Sequence, residues 1–166
     1  MSVGAELQVI SSGAGVPEPE LFQRWVAAAI GDRLEQAEVA IRVVEAEESK
    51  SLNLRYRQRD SATNVLAFPV DVPEYVDQTT LGDLVICRPV VEHEARDQGK
   101  QLEAHWAHMV VHGTLHLLGH DHQDAEQARE METLEVQILG SLGYPDPYWT
   151  EDAVAPAMVR TEDEAP

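Results

Sequence analysis

The sequence predicts an α+β fold: a single domain in which a roughly four-stranded mixed sheet packs against about five to six helices. Four short segments carry the apolar pattern of strands, and longer segments carry apolar residues at helical spacing. With 166 residues, the chain can bury a core without disulfides or metal ions as staples. Its single cysteine, Cys87, excludes an internal disulfide and a multi-cysteine metal site.

The predicted strands are residues 6–10, 38–45, 64–70 and 81–87. The first two alternate apolar and polar residues, as half-buried strands do, and the first is predicted to lie at an edge of the sheet. The fourth is apolar and β-branched, which predicts a central strand. Proline and several acidic residues make 71–80 a predicted loop.

The first two helices are predicted from their starting residues. Two prolines introduce the first helix, at a position where a missing N–H costs little. Ser49 is the predicted cap of a second, short helix that runs to about Arg57. Leu52 and Tyr56 are expected on the buried side of that helix.

The second half of the chain is predicted to hold three helices. Pro89 opens one that Gly99 ends, and residues 102–118 form the next. Asp124 and Gln127 are a predicted capping pair for the last helix. Its buried stripe is predicted to be Ala128, Met131, Leu134, Ile138, Leu139 and Leu142.

Charge is unevenly distributed along the chain. The formal net charge of −18 argues against general binding to nucleic acid, because phosphate repels such a surface. Four of the twelve basic residues nevertheless lie within ten positions, namely Lys50, Arg55, Arg57 and Arg59. We therefore expect a local basic groove on an anionic molecule. Residues 151–166 are expected to form an acidic, loose tail after a domain that spans 1–150.

The expected location is the cytoplasm. The first residues lack the basic start and apolar run of a signal peptide. No apolar run approaches the roughly 18 residues needed to cross a bilayer, so no membrane partner is expected. The scarcity of cysteine is compatible with a reducing compartment.

Three histidines between residues 112 and 122 predict a metal site. His112 and His116 are four residues apart, so on a helix their rings project from one face. Gly119 allows a turn that brings His122 beneath them. Three imidazoles without a fourth protein ligand describe an open site for one Zn²⁺, which leaves a coordination position for water and suits catalysis. A purely structural zinc is the alternative, and the lack of cysteine argues against it.

The spacing His-x-x-x-His-x-x-Gly-x-x-His is that of the metzincin peptidases. Those enzymes carry glutamate directly after the first histidine as the general base, whereas this sequence has Gly113 there. A peptidase that uses such a glutamate is therefore disfavoured. Asp121, beside the third histidine, is the nearest carboxylate in the sequence that could orient a water or a histidine.

Further histidines lie near this motif, and their roles are open at this point. His105 and His108 share the helix face of the predicted ligands, where packing or surface roles are favoured over reaching the metal or steering an anionic substrate. His120 lies in the turn and cannot easily reach the metal together with its near neighbour at position 122.

The arginines at positions 55, 57 and 59 have two interpretations. Guanidinium groups clamp phosphate and stabilise charge that develops on it. Cations also favour the C-terminal end of any helix, where these residues are predicted to lie. Beside a metal site without a peptidase base, phosphodiester chemistry is favoured. Arg57 would then hold the phosphate, with Arg59 and Arg55 as candidate substrate-binding residues.

Several motifs resemble, in order, those of the YbeY endoribonuclease family. They are Leu-Asn-Leu-Arg-Tyr-Arg-Gln-Arg-Asp (52–60), Thr-Asn-Val-Leu-Ala-Phe-Pro (63–69), Leu-Gly-Asp-Leu-Val-Ile-Cys (81–87), the histidine motif (112–122) and Gly-Tyr-Pro-Asp-Pro-Tyr (143–148). The resemblance covers most of residues 51–148. This chain departs from the usual pattern at Ala62, Ala67 and His120, and none of these changes removes a predicted ligand.

The resemblance implies a zinc-dependent, single-strand-specific endoribonuclease. It implies roles in ribosomal RNA maturation, including the 3′ end of the small-subunit RNA, and in ribosome quality control. It assigns zinc to His112, His116 and His122, and activity to Arg57. Expected partners are single-stranded regions of ribosomal RNA and the ribosome or its proteins, but not DNA. Two rivals stay open: a ribosome assembly factor with a mainly structural metal, and a zinc hydrolase of another substrate such as peptide.

Overall fold

The computed structural model describes residues 2–11, 15–70 and 80–148. Within these ranges the chain forms four strands and five helices, which confirms the predicted α+β class with a mixed four-stranded sheet. Their bounds are β1 Ser2–Val9, α1 Pro19–Ile30, β2 Gln36–Val44, α2 Ala46–Arg57, β3 Val65–Pro69, β4 Thr80–Cys87, α3 Arg88–Asp97, α4 Leu102–Leu117 and α5 Ala125–Ser141. The predicted tail at 151–166 and the predicted loop at 71–80 lie outside the described residues, except that Thr80 begins β4 instead of ending the loop.

The strands are arranged in the order β1-β2-β4-β3. β1 pairs with β2 and β2 with β4 in parallel, whereas β3 pairs with β4 antiparallel. The predicted edge position of the first strand and central position of the fourth are therefore confirmed. The antiparallel pairing puts β3 at the second edge.

The two faces of the sheet carry separate apolar clusters because alternate residues of a strand point to opposite sides. On one face, Leu84 and Ile86 of β4 belong to the main core, which also includes Trp25 of α1 and Trp106 of α4. On the other face, Val85 belongs to a smaller cluster. That smaller cluster consists of Val44, Leu66, Val85 and Cys87, with Leu52 of α2 packed against it. The sheet thus separates α4 from α2.

The start of α2 corrects the sequence prediction. The helix begins at Ala46 with Glu45 in the cap position, so Ser49 lies inside the helix. Ser49 is 1% exposed. Its hydroxyl donates to the carbonyl of Thr63 and accepts from the Thr63 N–H, both at 3.0 Å. Ser49 is therefore not a cap. It ties the loop after α2 back to the helix, which sequence spacing cannot reveal.

The buried side of α2 was also predicted wrongly at Tyr56, whose side chain is 53% exposed. The buried residues of this helix are Ser49 and Asn53. The Asn53 side chain donates to the carbonyl of Ser61 at 2.9 Å. The inner face of α2 thus combines Leu52, which packs on the smaller apolar cluster, with polar residues that hold a loop, and the ring of Tyr56 is left outside.

The last helix begins as predicted. The Asp124 carboxylate accepts from the Gln127 N–H at 2.8 Å, which fixes the start of α5. The Gln127 side chain accepts from the Gln123 N–H at 3.3 Å instead of from the cap residue itself. No helix in the described ranges is long and apolar enough to span a membrane.

Helix α4 approaches the sheet closely at Gly113. A Cβ atom there would lie 2.7 Å from Leu84 Cδ2 and 3.3 Å from Val65 Cγ2. A side chain at position 113 would therefore point into the core. This close packing places the next turns of α4 directly over the sheet edge formed by β3.

Candidate metal centre

Helix α4 and the turn after it bring three histidines together. His112 and His116 lie one turn apart, and their ring centroids are 4.7 Å from each other. The helix ends at Leu117, and Gly119 has φ +102°, a conformation that other residues resist. The chain then turns back, so that the His122 ring lies 5.1 Å from the His116 ring and 5.9 Å from the His112 ring.

These three residues suit a single metal ion. One ring nitrogen from each histidine lies within 4.8 Å of a ring nitrogen of the other two. Small side-chain movements would bring all three nitrogens to about 2.0–2.1 Å from a shared zinc ion, the length of a zinc–imidazole bond. His112 and His116 are half-buried and His122 is exposed, which leaves one side open. Burial, and then the neighbouring His112 and His122, lower the pKa of His116 to about 4. His116 is therefore an unprotonated nitrogen donor at pH 7.

Glu135 of α5 adjoins this cluster and was not predicted from the sequence. It is fully buried. His112 Nδ1 lies 2.6 Å from one carboxylate oxygen, Oε2, while His108 Nε2 lies 2.7 Å from the other, Oε1. The Tyr148 hydroxyl also donates to Oε1. A signal was present: Glu135 lies midway between Met131 and Leu139 on the buried stripe of α5, where an isolated acid is unexpected.

The other histidines on α4 are buried and face acids. His105 Nε2 lies 2.8 Å from Glu94 Oε1, and His108 pairs with Glu135. Neither of these histidines belongs to the cluster at 112, 116 and 122, although His108, His112 and Glu135 form a second group of close polar atoms. His120 is half-buried, and its N–H donates to the carbonyl of Leu115 at 3.0 Å, which helps to shape the turn.

Asp121 contacts the backbone of the third histidine. Its Oδ1 accepts from the His122 N–H at 2.7 Å. The Asp121 charge also raises the pKa of His116, but burial and the neighbouring His112 and His122 lower that pKa by more. Asp121 therefore holds the turn, whereas the carboxylate that reaches an imidazole of the cluster is Glu135.

The three arginines make different contacts. Arg57 is the last residue of α2, and its positive charge is one of those that lower the pKa of His116, so its field reaches the histidine cluster. The Arg55 guanidinium lies 5.3 Å from the ring centre of Tyr56. The Arg59 N–H donates to the carbonyl of Asn53 at 3.2 Å, after Gln58 has turned the chain with φ +57°. All three side chains are exposed.

A cavity of about 1120 Å³ opens beside the cluster, between α3, α4, α5 and the segment that ends at Tyr148. Its lining includes His112 and His122. Its charged lining residues are Glu94, Lys100, Glu132, Glu135 and Asp146, so acids outnumber the one lysine. Phosphate is therefore disfavoured inside the cavity. The Arg57 side of the cluster is the favourable approach for an anion.

The fold and the cluster define a class: an α+β protein with three convergent imidazoles that could hold a metal ion in an open site. Residues 18–143 match the family model described as Endoribonuclease YbeY. This match spans most of the chain, and the protein belongs to the YbeY endoribonuclease family. Membership implies a nuclease.

A solved structure has the same fold. The chain is similar to the solution structure of TM1509 from Thermotoga maritima, with a TM-score of 0.53 and 24% sequence identity. The similarity covers 87% of this chain and 99% of the other. At this identity, the comparison supports the arrangement of strands and helices alone.

Proposed function

We propose that this protein is a zinc-dependent endoribonuclease that cleaves single-stranded regions of ribosomal RNA. The observation that carries the proposal is the cluster of three imidazoles in a chain of an endoribonuclease family, and the charge of Arg57 acts on this cluster. Its substrates would include the region at the 3′ end of the small-subunit RNA. Its place would be the cytoplasm, in ribosome maturation and quality control.

The proposed ligands of one Zn²⁺ per chain are His112, His116 and His122. When bound, zinc supplies Lewis-acid polarisation of a phosphoryl oxygen and a more acidic water. The residue at position 113 cannot act as a general base of the peptidase kind. Glycine has no titratable group, and this position faces Leu84 in the core. The geometry therefore favours phosphodiester over peptide cleavage.

Arg57 is proposed as the catalytic arginine that holds the scissile phosphate and stabilises its developing charge. Arg55 and Arg59, both exposed nearby, would bind the adjoining phosphates. Tyr56 is 53% exposed and lies 5.2 Å from Phe68, centre to centre. An exposed aromatic ring among arginines suits an unpaired base, because bases that are not stacked in a duplex can stack on it.

The proposal is tested with labelled single-stranded RNA, purified protein, added Zn²⁺ and a chelator. We expect cleavage to stop in the chelator and to return with Zn²⁺. Arg57→Glu should keep one zinc per chain and lose cleavage by about 100-fold or more, the cost of losing one group that stabilises transition-state charge. Arg24→Glu, the same charge change on an exposed residue of α1, is the control. Cleavage that survives in His116→Ala without bound zinc would exclude the proposed metal role.

A second candidate is a ribosome assembly factor whose metal is mainly structural. The net charge of −18 supports it, since such a surface suits basic ribosomal proteins better than naked RNA. Complementation of a deletion strain separates the two. Rescue by a folded variant that neither binds zinc nor cleaves RNA would favour the assembly factor, and failure of rescue favours the nuclease. A parallel incubation with unfolded protein tests the peptide-hydrolase alternative.

A further inference from the structure

We infer that Glu135 is a positioning residue for the metal: it holds His112 in the tautomer and orientation that present Nε2 to the ion, and its charge strengthens metal binding. The inference rests on the proposed zinc site. It adds a residue that is not one of the three proposed ligands and that lies on α5, whereas His112 lies on α4.

The contact at His112 defines the tautomer. A carboxylate only accepts hydrogen bonds, so the short 2.6 Å contact requires the proton to lie on His112 Nδ1. Nε2 is then the ring nitrogen that can offer a lone pair to a metal ion. The same bond prevents the ring from rotating. Histidines that bind metals are commonly oriented by such carboxylates, and the loss of the carboxylate weakens metal binding.

The other carboxylate oxygen is held separately. Oε1 accepts from His108 Nε2–H at 2.7 Å and from the Tyr148 hydroxyl. Burial lowers the pKa of His108, and burial together with the charge of Glu135 raises the pKa of Tyr148, so both partners are neutral donors at pH 7. His108 of α4 and Tyr148, which follows α5, thus hold Oε1 in place. Oε2 is left to orient His112.

Glu135 is a buried carboxylate whose hydrogen-bond partners are His108, His112 and Tyr148. In the described part of the chain, Lys100 senses this charge from a distance and forms no hydrogen bond with the carboxylate. A buried charge without a close counter-charge is costly. A divalent cation on the far side of His112 would supply the counter-charge.

The chain offers a matched control in Glu94. This acid pairs with His105 on the same helix at 2.8 Å, and His105 is outside the three-histidine cluster. Glu94→Gln and Glu135→Gln each remove one negative charge from a carboxylate–histidine pair beside the same cavity. Only the second substitution breaks a contact to a proposed ligand.

The test measures zinc dissociation constants of the full chain by competition with a chromophoric chelator, and melting temperatures of the zinc-free proteins. We expect Glu135→Gln to weaken zinc binding by about 10- to 100-fold and Glu94→Gln to leave it within about twofold. Zinc-free Glu135→Gln should melt below the wild-type temperature, because glutamine offers a single acceptor oxygen where the carboxylate accepts from His108, His112 and Tyr148. Equal zinc affinity of Glu135→Gln and wild type would overturn the inference, as would equal weakening by both variants.

Two further measurements keep the test decisive. If Glu135→Gln does not fold, Tyr148→Phe removes one anchor of Oε1; we expect a severalfold weaker zinc affinity, and unchanged affinity overturns the inference. Long-range ¹H–¹⁵N spectra of the zinc-free form should show His112 protonated at Nδ1 in wild type and mixed tautomers in Glu135→Gln. A wild-type protein that binds no zinc removes the proposed metal site as well, whereas normal zinc binding in both proteins removes only the role of Glu135.

Discussion

Gly113 directly follows a proposed ligand on α4, yet its Cα faces the sheet and not the histidine cluster. We expect Gly113→Ala to destabilise the protein by about 1–3 kcal/mol, because the new methyl group would overlap Leu84 Cδ2, 2.7 Å away. Urea unfolding of the zinc-free protein measures the change. Gly113→Glu should yield no peptidase and a still less stable fold, since the carboxylate would enter the core.

Gly140 of α5 provides the matched control for that substitution. A Cβ atom there meets nothing within 4 Å, so Gly140→Ala should stabilise the protein by about 0.5–1 kcal/mol through helix propensity alone. If Gly113→Ala lowers the free energy of unfolding and Gly140→Ala raises it, the effect of packing is separated from the effect of helix propensity. A neutral or stabilising Gly113→Ala would contradict the close approach of α4 to β4.

Tyr56 leads to a second prediction at the scale of one side chain. If its exposed ring stacks on an unpaired base, Tyr56→Ala should weaken binding of a single-stranded RNA by about 1–3 kcal/mol. Fluorescence anisotropy with a labelled oligonucleotide measures the affinity. Leu54→Ala is the control, because Leu54 is an apolar residue of the same helix with a similar 49% exposure. An equal loss in both variants would argue against stacking.

At the scale of the element, α2 and the loop after it form one unit through Ser49. Ser49→Ala should cost about 1–3 kcal/mol, because the Thr63 N–H and carbonyl both lose their partner in a buried place. Thermal or urea unfolding measures the loss, and faster amide exchange at Thr63 should accompany it. Ser51→Ala, on the exposed side of the same helix, should change stability by less than about 0.5 kcal/mol. Similar losses in both variants would mean that the loop is held by other contacts.

Much of the element order could be predicted, because apolar periodicity follows burial directly. The four strands lie close to their predicted positions, although β1 begins at Ser2, four residues early, since its pairing with β2 continues beyond the alternating residues. The inner face of α2 could not be predicted. Its buried residues are Ser49 and Asn53, which are held by a loop whose path depends on tertiary structure.

The histidine cluster could be predicted from the sequence, whereas the carboxylate that contacts it from α5 could not. The convergence of His112, His116 and His122 follows from local geometry: one helical turn and one glycine turn. The contact between Glu135 and His112 spans 23 residues and depends on how α5 crosses α4. Sequence spacing therefore pointed to the neighbouring Asp121, which accepts from the His122 N–H and whose role beside a metal stays a prediction.

For the whole molecule, the concentration of positive charge in one place predicts a weak salt dependence of RNA binding. Each phosphate contact on a single strand contributes about −0.7 to the slope of log K against log salt. Contacts from the three arginines at 55, 57 and 59 should thus give a slope of about −2, and Arg59→Ala should reduce it by about 0.7. Titrations between low and physiological salt measure it. A slope beyond about −4 would require basic surface elsewhere, against the net charge of −18.

Metal removal should also change the stability of the entire fold. A ligand that binds only the native state at 100 times its dissociation constant stabilises the protein by about 2.7 kcal/mol. We expect Zn²⁺ to raise the melting temperature and a chelator to reverse the increase. His116→Ala should melt at the same temperature with or without Zn²⁺; an undiminished increase in that variant would contradict the proposed ligands.

The proposed ligands are three imidazoles, and Cys87, the single cysteine, is buried in β4. Such nitrogen donors do not select zinc by affinity, because Cu²⁺ binds more tightly than Zn²⁺ to most sites of this type. The metal ion bound to the site would therefore depend on which ions are available, in the growth medium and on any nickel column used in purification. Activities measured in different laboratories would then be those of proteins with different bound ions, unless each sample is stripped and reloaded with a single ion.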